Sequence, residues 1–248
     1  MCTLIVAASV WSDVPLVVAA NRDEDLDRPA SAPAVWDNEG VSVLSPRDQK
    51  AGGTWLGVNA FGVFVGITNR FSSNLDPKAR SRGQMVLDAL RAPTAAEAAL
   101  RIGAESPERH NPFHLVLADT TSAHLVWNDG TTHHRHRLQP GIHVVTERSM
   151  AAAPSLRLER LPELVRPLAG PVLPTLDAWQ RVLRHRDTPP LEGVTVLDRA
   201  RNYGTRSSTI VQLSDDPQRL TFLHADGPPD EAPFDDASLA LRGLLQAG

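Results

Sequence analysis

At 248 residues, 42% hydrophobic and 22% charged, the chain has the length and composition of a globular protein able to bury a sizeable core. Its formal net charge of −4 excludes general binding to nucleic acid or to anionic membrane surfaces, both of which rest on excess Lys and Arg. Cys2 is its one cysteine, so no intramolecular disulfide forms; no membrane span of about 20 apolar residues and no basic leader are read, and the expected address is the cytoplasm.

Residues 3–10 and 15–20 are valine-rich apolar runs separated by Trp11-Ser12-Asp13-Val14, which predicts a hairpin of strands buried on both faces. The proline-rich stretch 29–46 reads as loop. Residues 54–58 and 63–68 predict a second hairpin around Asn59-Ala60-Phe61-Gly62. Helices are expected over 83–91 and 94–102, the latter capped by Thr94 after Pro93. Two more hairpins pair 113–118 with 124–127 and 132–138 with 142–146. Residues 156–164, 176–185 and 237–245 repeat apolar side chains at helical spacing, and a last hairpin pairs 207–213 with 220–224 around Ser214-Asp215-Asp216-Pro217. Proline-rich 161–174 and 227–233 read as loops. This order describes an α+β protein, a four-layer α/β/β/α sandwich of two antiparallel sheets between helix layers, with 1–248 as a single domain.

Chemistry gathers first at Cys2. Methionine aminopeptidases remove Met1 when residue two is small, leaving a thiol beside a free α-amine. With ordinary pKa values of about 7.7–8.0 for the amine and about 8.5 for the thiol, the amine can take the thiol's proton and later return it to a leaving amine. A turn centred between Ser12 and Asp13 sets Cys2 opposite Asp23, beside the polar cluster Asn21-Arg22-Asp23-Glu24. Arg22 then lowers the thiol pKa and attracts a carboxylate-bearing substrate, while Asp23 orients the α-ammonium. The second hairpin brings Asn69 close to Gly52 and Gly53; glycines admit a close ligand, and an asparagine amide can donate to a developing oxyanion. Trp36 and Trp55 are candidates for a substrate mouth, and Arg206, entering a strand from a glycine turn, can point into a pocket. The run Thr132-His133-His134-Arg135-His136-Arg137 reads as an exposed hairpin rather than a metal site, because arginines flank it and no carboxylate or cysteine stands at ligand spacing. Arg80, Arg82 and Arg91 read as a solvated helix face.

Met1-Cys2-Thr3-Leu4, Asn21-Arg22-Asp23-Glu24, Gly52-Gly53-Thr54-Trp55-Leu56-Gly57, Thr68-Asn69-Arg70 and Tyr203-Gly204-Thr205-Arg206-Ser207-Ser208-Thr209, in this order, resemble the NRDE-motif family, also called the transport-and-Golgi-organisation-two family. That family looks like a branch of the N-terminal-nucleophile (Ntn) hydrolases, related to penicillin V acylases and conjugated bile-salt hydrolases. The resemblance implies an Ntn-hydrolase-like fold and the site Cys2, Arg22, Asp23, Asn69 and Arg206, with Gly53, Trp55 and Glu147 as substrate contacts. It departs from the relatives at their second oxyanion asparagine, where Glu147 or Thr146 stands; a carboxylate there stabilises an oxyanion only when protonated.

Two functions follow as expectations. One is an amidohydrolase that cleaves a linear, non-peptide C–N amide of a small acylated molecule by attack of Cys2, with no cofactor and no metal. The other, allowed by the family's association with haem handling and lipid or acyl-CoA homeostasis, is a non-enzymatic binder or carrier on the same scaffold. In both, the partner is a small-molecule substrate or ligand.

Overall fold

The computed structural model describes residues 2–187 and 192–247. Its centre is the pair β1 (Thr3–Ala8) and β2 (Leu16–Asp25), whose side chains alternate between two cores. Leu4, Val6, Leu16, Val18 and Ala20 enter the core between the sheets, whereas Ile5, Ala7, Val17 and Ala19 pack under helices with Leu161, Trp179 and Leu183. A strand buried on both faces needs an unbroken apolar run, and these two have one.

The first sheet is antiparallel, in the order β10 (Gly141–Thr146), β1, β2, β12 (Tyr203–Leu213), β13 (Thr221–Ala225) and β14 (Asp235–Asp236), with β11 (Leu197–Asp198) also pairing β12. The second runs in sequence order from β3 (Ala30–Asn38) and β4 (Val41–Asp48) through β5 (Leu56–Asn59), β6 (Phe64–Asn69), β7 (Phe113–Ala118) and β8 (Ala123–Asn128) to β9 (His133–Arg137). Helices α1 (Arg82–Ala89) and α2 (Ala95–Gly103) lie on the second sheet, and α3 (Leu156–Val165) and α4 (Leu176–Leu183) on the first. The layers are therefore α/β/β/α. Helix α5 (Ser238–Ala247) closes a flank, inserting Leu241 and Leu244 into the inter-sheet core. Thr94 caps α2 through the Glu97 amide, as its position after Pro93 predicts.

Three expectations are corrected. Residues 29–46 are not loop: β3 and β4 form a hairpin around Glu39-Gly40, whose φ values of 53° and 90° suit a two-residue primed turn. Proline is tolerated there because β3 is an edge strand and Pro33 falls in the irregularity between Ser31 and Ala34. Strands β9 and β10 are not a hairpin either. Polar β9 ends the second sheet, and the chain then crosses to add the more apolar β10 to β1, where Ile142 and Val144 meet the helix-side core. Finally, Thr3 pairs with Asn21, a register that continues to Cys2 opposite Arg22 rather than Asp23. A one-residue slip exchanges the faces of a strand, so this difference matters at the site.

Candidate active site

Strand β2 continues past its apolar run because β12 pairs it as far as Asp25. The polar cluster is therefore strand, not turn, and alternation sends its side chains opposite ways. Asn21 faces the helix layer, where its amide donates to the Leu183 and Val194 carbonyls at 3.1 and 2.9 Å and its oxygen accepts from Ser208 Oγ at 2.6 Å. It is a clamp between layers. Asp23, on the same face, accepts from Thr205 Oγ1 at 2.7 Å and from Arg157 Nη2 at 3.3 Å. Burial pushes the Asp23 carboxyl up, and Arg157 opposes the rise.

Arg22 points the other way. Its guanidinium lies 4.1 Å above the Trp55 ring and Nη2 is 3.0 Å from Asp48 Oδ2, while Nη1 is buried without a hydrogen-bond partner. Asp48, at the end of β4, also holds Arg28 and accepts the Lys50 and Ala51 amides, which shapes the turn leading to Gly53. That turn packs directly on α1: a Cβ on Gly53 would sit 2.5 Å from the Gly83 carbonyl carbon, so only glycine permits the approach.

The half-buried Cys2 thiol donates to the Asp23 backbone oxygen at 3.8 Å, and the Tyr203 hydroxyl donates to the same oxygen at 3.3 Å. Burial pushes the thiol up, Asp23 adds to the rise, and Arg22 opposes it. Cys2 opens on a cleft of about 220 Å³ whose lining includes Arg22, Asp23, Gly53, Trp55 and Asn69. Asn69 is exposed there at the end of β6. A recess of about 10 Å³, room for one water, continues inward past Leu4, Ala20 and Ile67. A thiol, a buried guanidinium and an exposed amide thus share one cleft.

Two expected site residues lie elsewhere. Arg206 occupies the bulge between Thr205 and Ser207 and ion-pairs with Asp226; an unpaired bulge residue leaves the strand's alternation and here does not line the cleft. Glu147 is buried behind the site, 3.7 Å from Arg157 Nη1, so it answers that cation instead of facing the cleft. Trp36 is also away from the cleft, bonded to Ser45 Oγ and covered by Arg47. Of the arginines read as a solvated face, Arg91 pairs with Asp88 and Glu39, whereas Arg80, itself paired with Asp88, and Arg82 both line the cleft.

Arg157 and Asp48 went unread in the sequence. Arg157 left a signal: it shares a helical face with the buried Leu161 and Val165, one and two turns on, and a charge on an apolar face asks for a buried partner. Asp48 left only the local signal of an aspartate opening a turn before Gly52-Gly53; its arginine partners Arg22 and Arg28 lie 26 and 20 residues away and come to it only in the fold. His134 Nε2 bonds Asp129 Oδ2 at 2.7 Å, and among the described residues no group of three or more His, Cys, Asp or Glu could hold a metal ion. No helix among them is long and apolar enough to cross a membrane.

The model of the Transport and Golgi organisation 2 family matches residues 1–169. The Transport and Golgi organization protein 2 homolog of Bos taurus is 36% identical over 109 residues, covering 43% of this chain and 40% of that protein. The chain thus matches about two-fifths of the relative's length. Among solved structures, the Caenorhabditis elegans ortholog of N-acylethanolamine-hydrolyzing acid amidase superposes with a TM-score of 0.63 at 17% identity, covering 88% of this chain and 96% of that one. A mutant of the conjugated bile acid hydrolase from Clostridium perfringens does so at 0.53 and 12% identity, covering 96% and 93%. At these identities the likeness is one of fold, an Ntn-hydrolase scaffold.

Proposed function

We propose that this chain, which belongs to the Transport and Golgi organisation 2 family, is an N-terminal-cysteine amidohydrolase that cleaves the linear, non-peptide C–N bond of a small acylated molecule. The observation that carries the reading is the convergence of Cys2, Arg22 and Asn69 on one cleft of an amidohydrolase-type scaffold.

In this mechanism loss of Met1 frees the Cys2 α-amine. The amine takes the thiol proton, and the thiolate attacks the amide carbonyl to form a tetrahedral oxyanion. Asn69 Nδ2 and a backbone N–H stabilise that oxyanion. Collapse breaks the C–N bond; the α-ammonium protonates the departing amine, leaving an acyl thioester on Cys2. Water, deprotonated by the α-amine, then hydrolyses the thioester, releasing the acid and restoring the thiol. Arg22, within electrostatic reach of the thiol, favours its ionised form against the cost of burial. Arg157 and Asp23 act one layer back, holding the strand end that carries the Asp23 carbonyl under the thiol.

Intact mass of the untagged protein tests the first requirement, because loss of one methionine exposes the base. Hydrolysis of N-acyl amides by wild type, with none by Cys2→Ala, is the expected second result; normal turnover in Cys2→Ala refutes the mechanism. A second reading has one observation in its favour. The amide of Asn111, also on the cleft, is committed to the Asp76 backbone, which leaves Asn69 without a second free asparagine. A binder of haem or of a lipid or acyl-CoA needs no oxyanion pair, and saturable haemin or acyl-CoA binding without any amide turnover is its signature.

A further inference from the structure

Strand register sets three side chains in a row across the first sheet. Ser207 of β12 pairs with Arg22 of β2, and the β1–β2 register continues to Cys2 on the other side of Arg22. Directly paired residues share a face, with Cβ atoms about 4.5–5.5 Å apart. The bulge creates this row. Without it Arg206 would stand opposite Arg22, where two like charges repel; with it a serine takes the place. The row bounds the inner recess of about 10 Å³, together with Ala20 of β2 and with Leu56 and Ile67 of the facing sheet.

Two buried polar atoms of this row have no partner among the described residues. Ser207 is 2% exposed, and its Oγ makes no hydrogen bond. Arg22 Nη1 is closed to solvent and makes none either: Asp48 takes Nη2, and the Trp55 ring covers the guanidinium face. An atom shut off from the cleft is met only from inside the protein. Two other polar side chains at the recess are committed, Asn21 to the Leu183 and Val194 carbonyls and to Ser208, and Thr209 to His224 Nδ1. Native proteins leave few buried polar atoms unmet, and a polar recess with the space of about one probe sphere suits a structural water.

We propose that the recess holds one buried water bridging Arg22 Nη1 to Ser207 Oγ, and that Ser207 is thereby a positioning residue that fixes the guanidinium beside the Cys2 thiol. One water answers both unpartnered atoms. Guanidinium nitrogens only donate, so the water oxygen accepts from Nη1; a serine hydroxyl donates or accepts, so it closes the bridge whichever way its proton turns. With Nη2 anchored on Asp48 and Nη1 on the water, both ends of the guanidinium are held. Its charge then opposes the burial that pushes the thiol up. The bridge does not depend on turnover; its part in catalysis rests on the amidohydrolase reading.

A high-resolution crystal structure of the wild-type chain tests the bridge. Density for one water within about 2.7–3.2 Å of both Arg22 Nη1 and Ser207 Oγ is expected; a dry recess, or a water that reaches only one of the two, overturns the proposal. Alkylation of Cys2, the one thiol in the chain, by iodoacetamide tests the positioning. Ser207→Val fills the recess and removes the hydroxyl. Its pH midpoint should lie about half a unit above wild type, roughly a threefold loss of thiolate at a fixed pH below the midpoint. In an Arg22→Gln background the same substitution should shift nothing, because the effect runs through the guanidinium. Asp23, Arg82 and Tyr203, the other groups within electrostatic reach of the thiol, do not line the recess and are common to all these variants. An unchanged midpoint in Ser207→Val, or an equal shift in both backgrounds, overturns the positioning role. Should Ser207→Val fail to fold, the wild-type density decides. Neither readout involves turnover, so a chain that hydrolyses no amide refutes the mechanism above and leaves this inference standing.

Discussion

Arg157→Met removes the cation from a site where two carboxylates depend on it. The Arg157 and Asp23 side chains are 3% and 0% exposed, with 3.3 Å between Nη2 and Oδ2, and Glu147 lies 3.7 Å from Nη1. Breaking one partner from such a pair costs about 3–5 kcal/mol, because the remaining charge stays buried. Loss of the donors to Thr3 Oγ1 and the Val194 carbonyl falls within the same cavity, so we expect a total of about 4 kcal/mol at pH 7. The pH dependence gives the mechanism away. Burial already holds the Asp23 carboxyl above its ordinary value, and deleting Arg157 raises it further. A carboxyl raised in the folded state penalises stability above its folded pKa, and the penalty is relieved as pH falls through that value toward the unfolded pKa of about 3.9. The gap between variant and wild type, measured by urea unfolding, is therefore widest at neutral pH and narrows on acidification. Adding Asp23→Asn should recover at least about 1 kcal/mol through coupling. A loss below about 1 kcal/mol at pH 7, where 3–5 is expected for a broken buried pair, would refute the argument, as would a gap that does not change with pH.

Gly53→Ala drives a Cβ into the Gly83 backbone and should cost about 1–3 kcal/mol, lowering Tm by several degrees; an unchanged Tm would mean the loop is not packed on α1. His114 is buried with Nε2 donating to the Ser149 carbonyl, and burial depresses its pKa to about 4. A depressed histidine contributes stability in full above its unfolded pKa of about 6.5 and loses it as pH falls toward the folded value, about 3 kcal/mol in all; His114→Gln should flatten that slope in denaturation measured from pH 7 to 4. Arg22→Gln should move the pH midpoint of Cys2 alkylation by iodoacetamide upward and Asp23→Asn should move it downward, since these groups act on the thiol with opposite sign; midpoints that stay put would remove both from its electrostatics.

Sequence alone reached the layers of this protein and most of its cleft. The twofold and 3.6-fold periodicities of apolar residues are local and survive without coordinates, so the hairpin of β1 and β2, the hairpin of β5 and β6, and all five helices were legible. The motifs also drew Cys2, Arg22, Asp23, Gly53, Trp55 and Asn69 toward one place, where the cleft gathers them. What tertiary structure decided was direction and partnership. A one-residue change of register set which side of β2 Arg22 and Asp23 occupy, and a bulge took Arg206 out of the site. Glu147 met Arg157 rather than the cleft, and Arg82, read as a surface charge, became a lining residue. Periodicity says which residues share a face, but the partner of a buried charge is set by contacts more than a hundred residues apart in the chain, such as Arg157 with Asp23, and those exist only once the layers have packed.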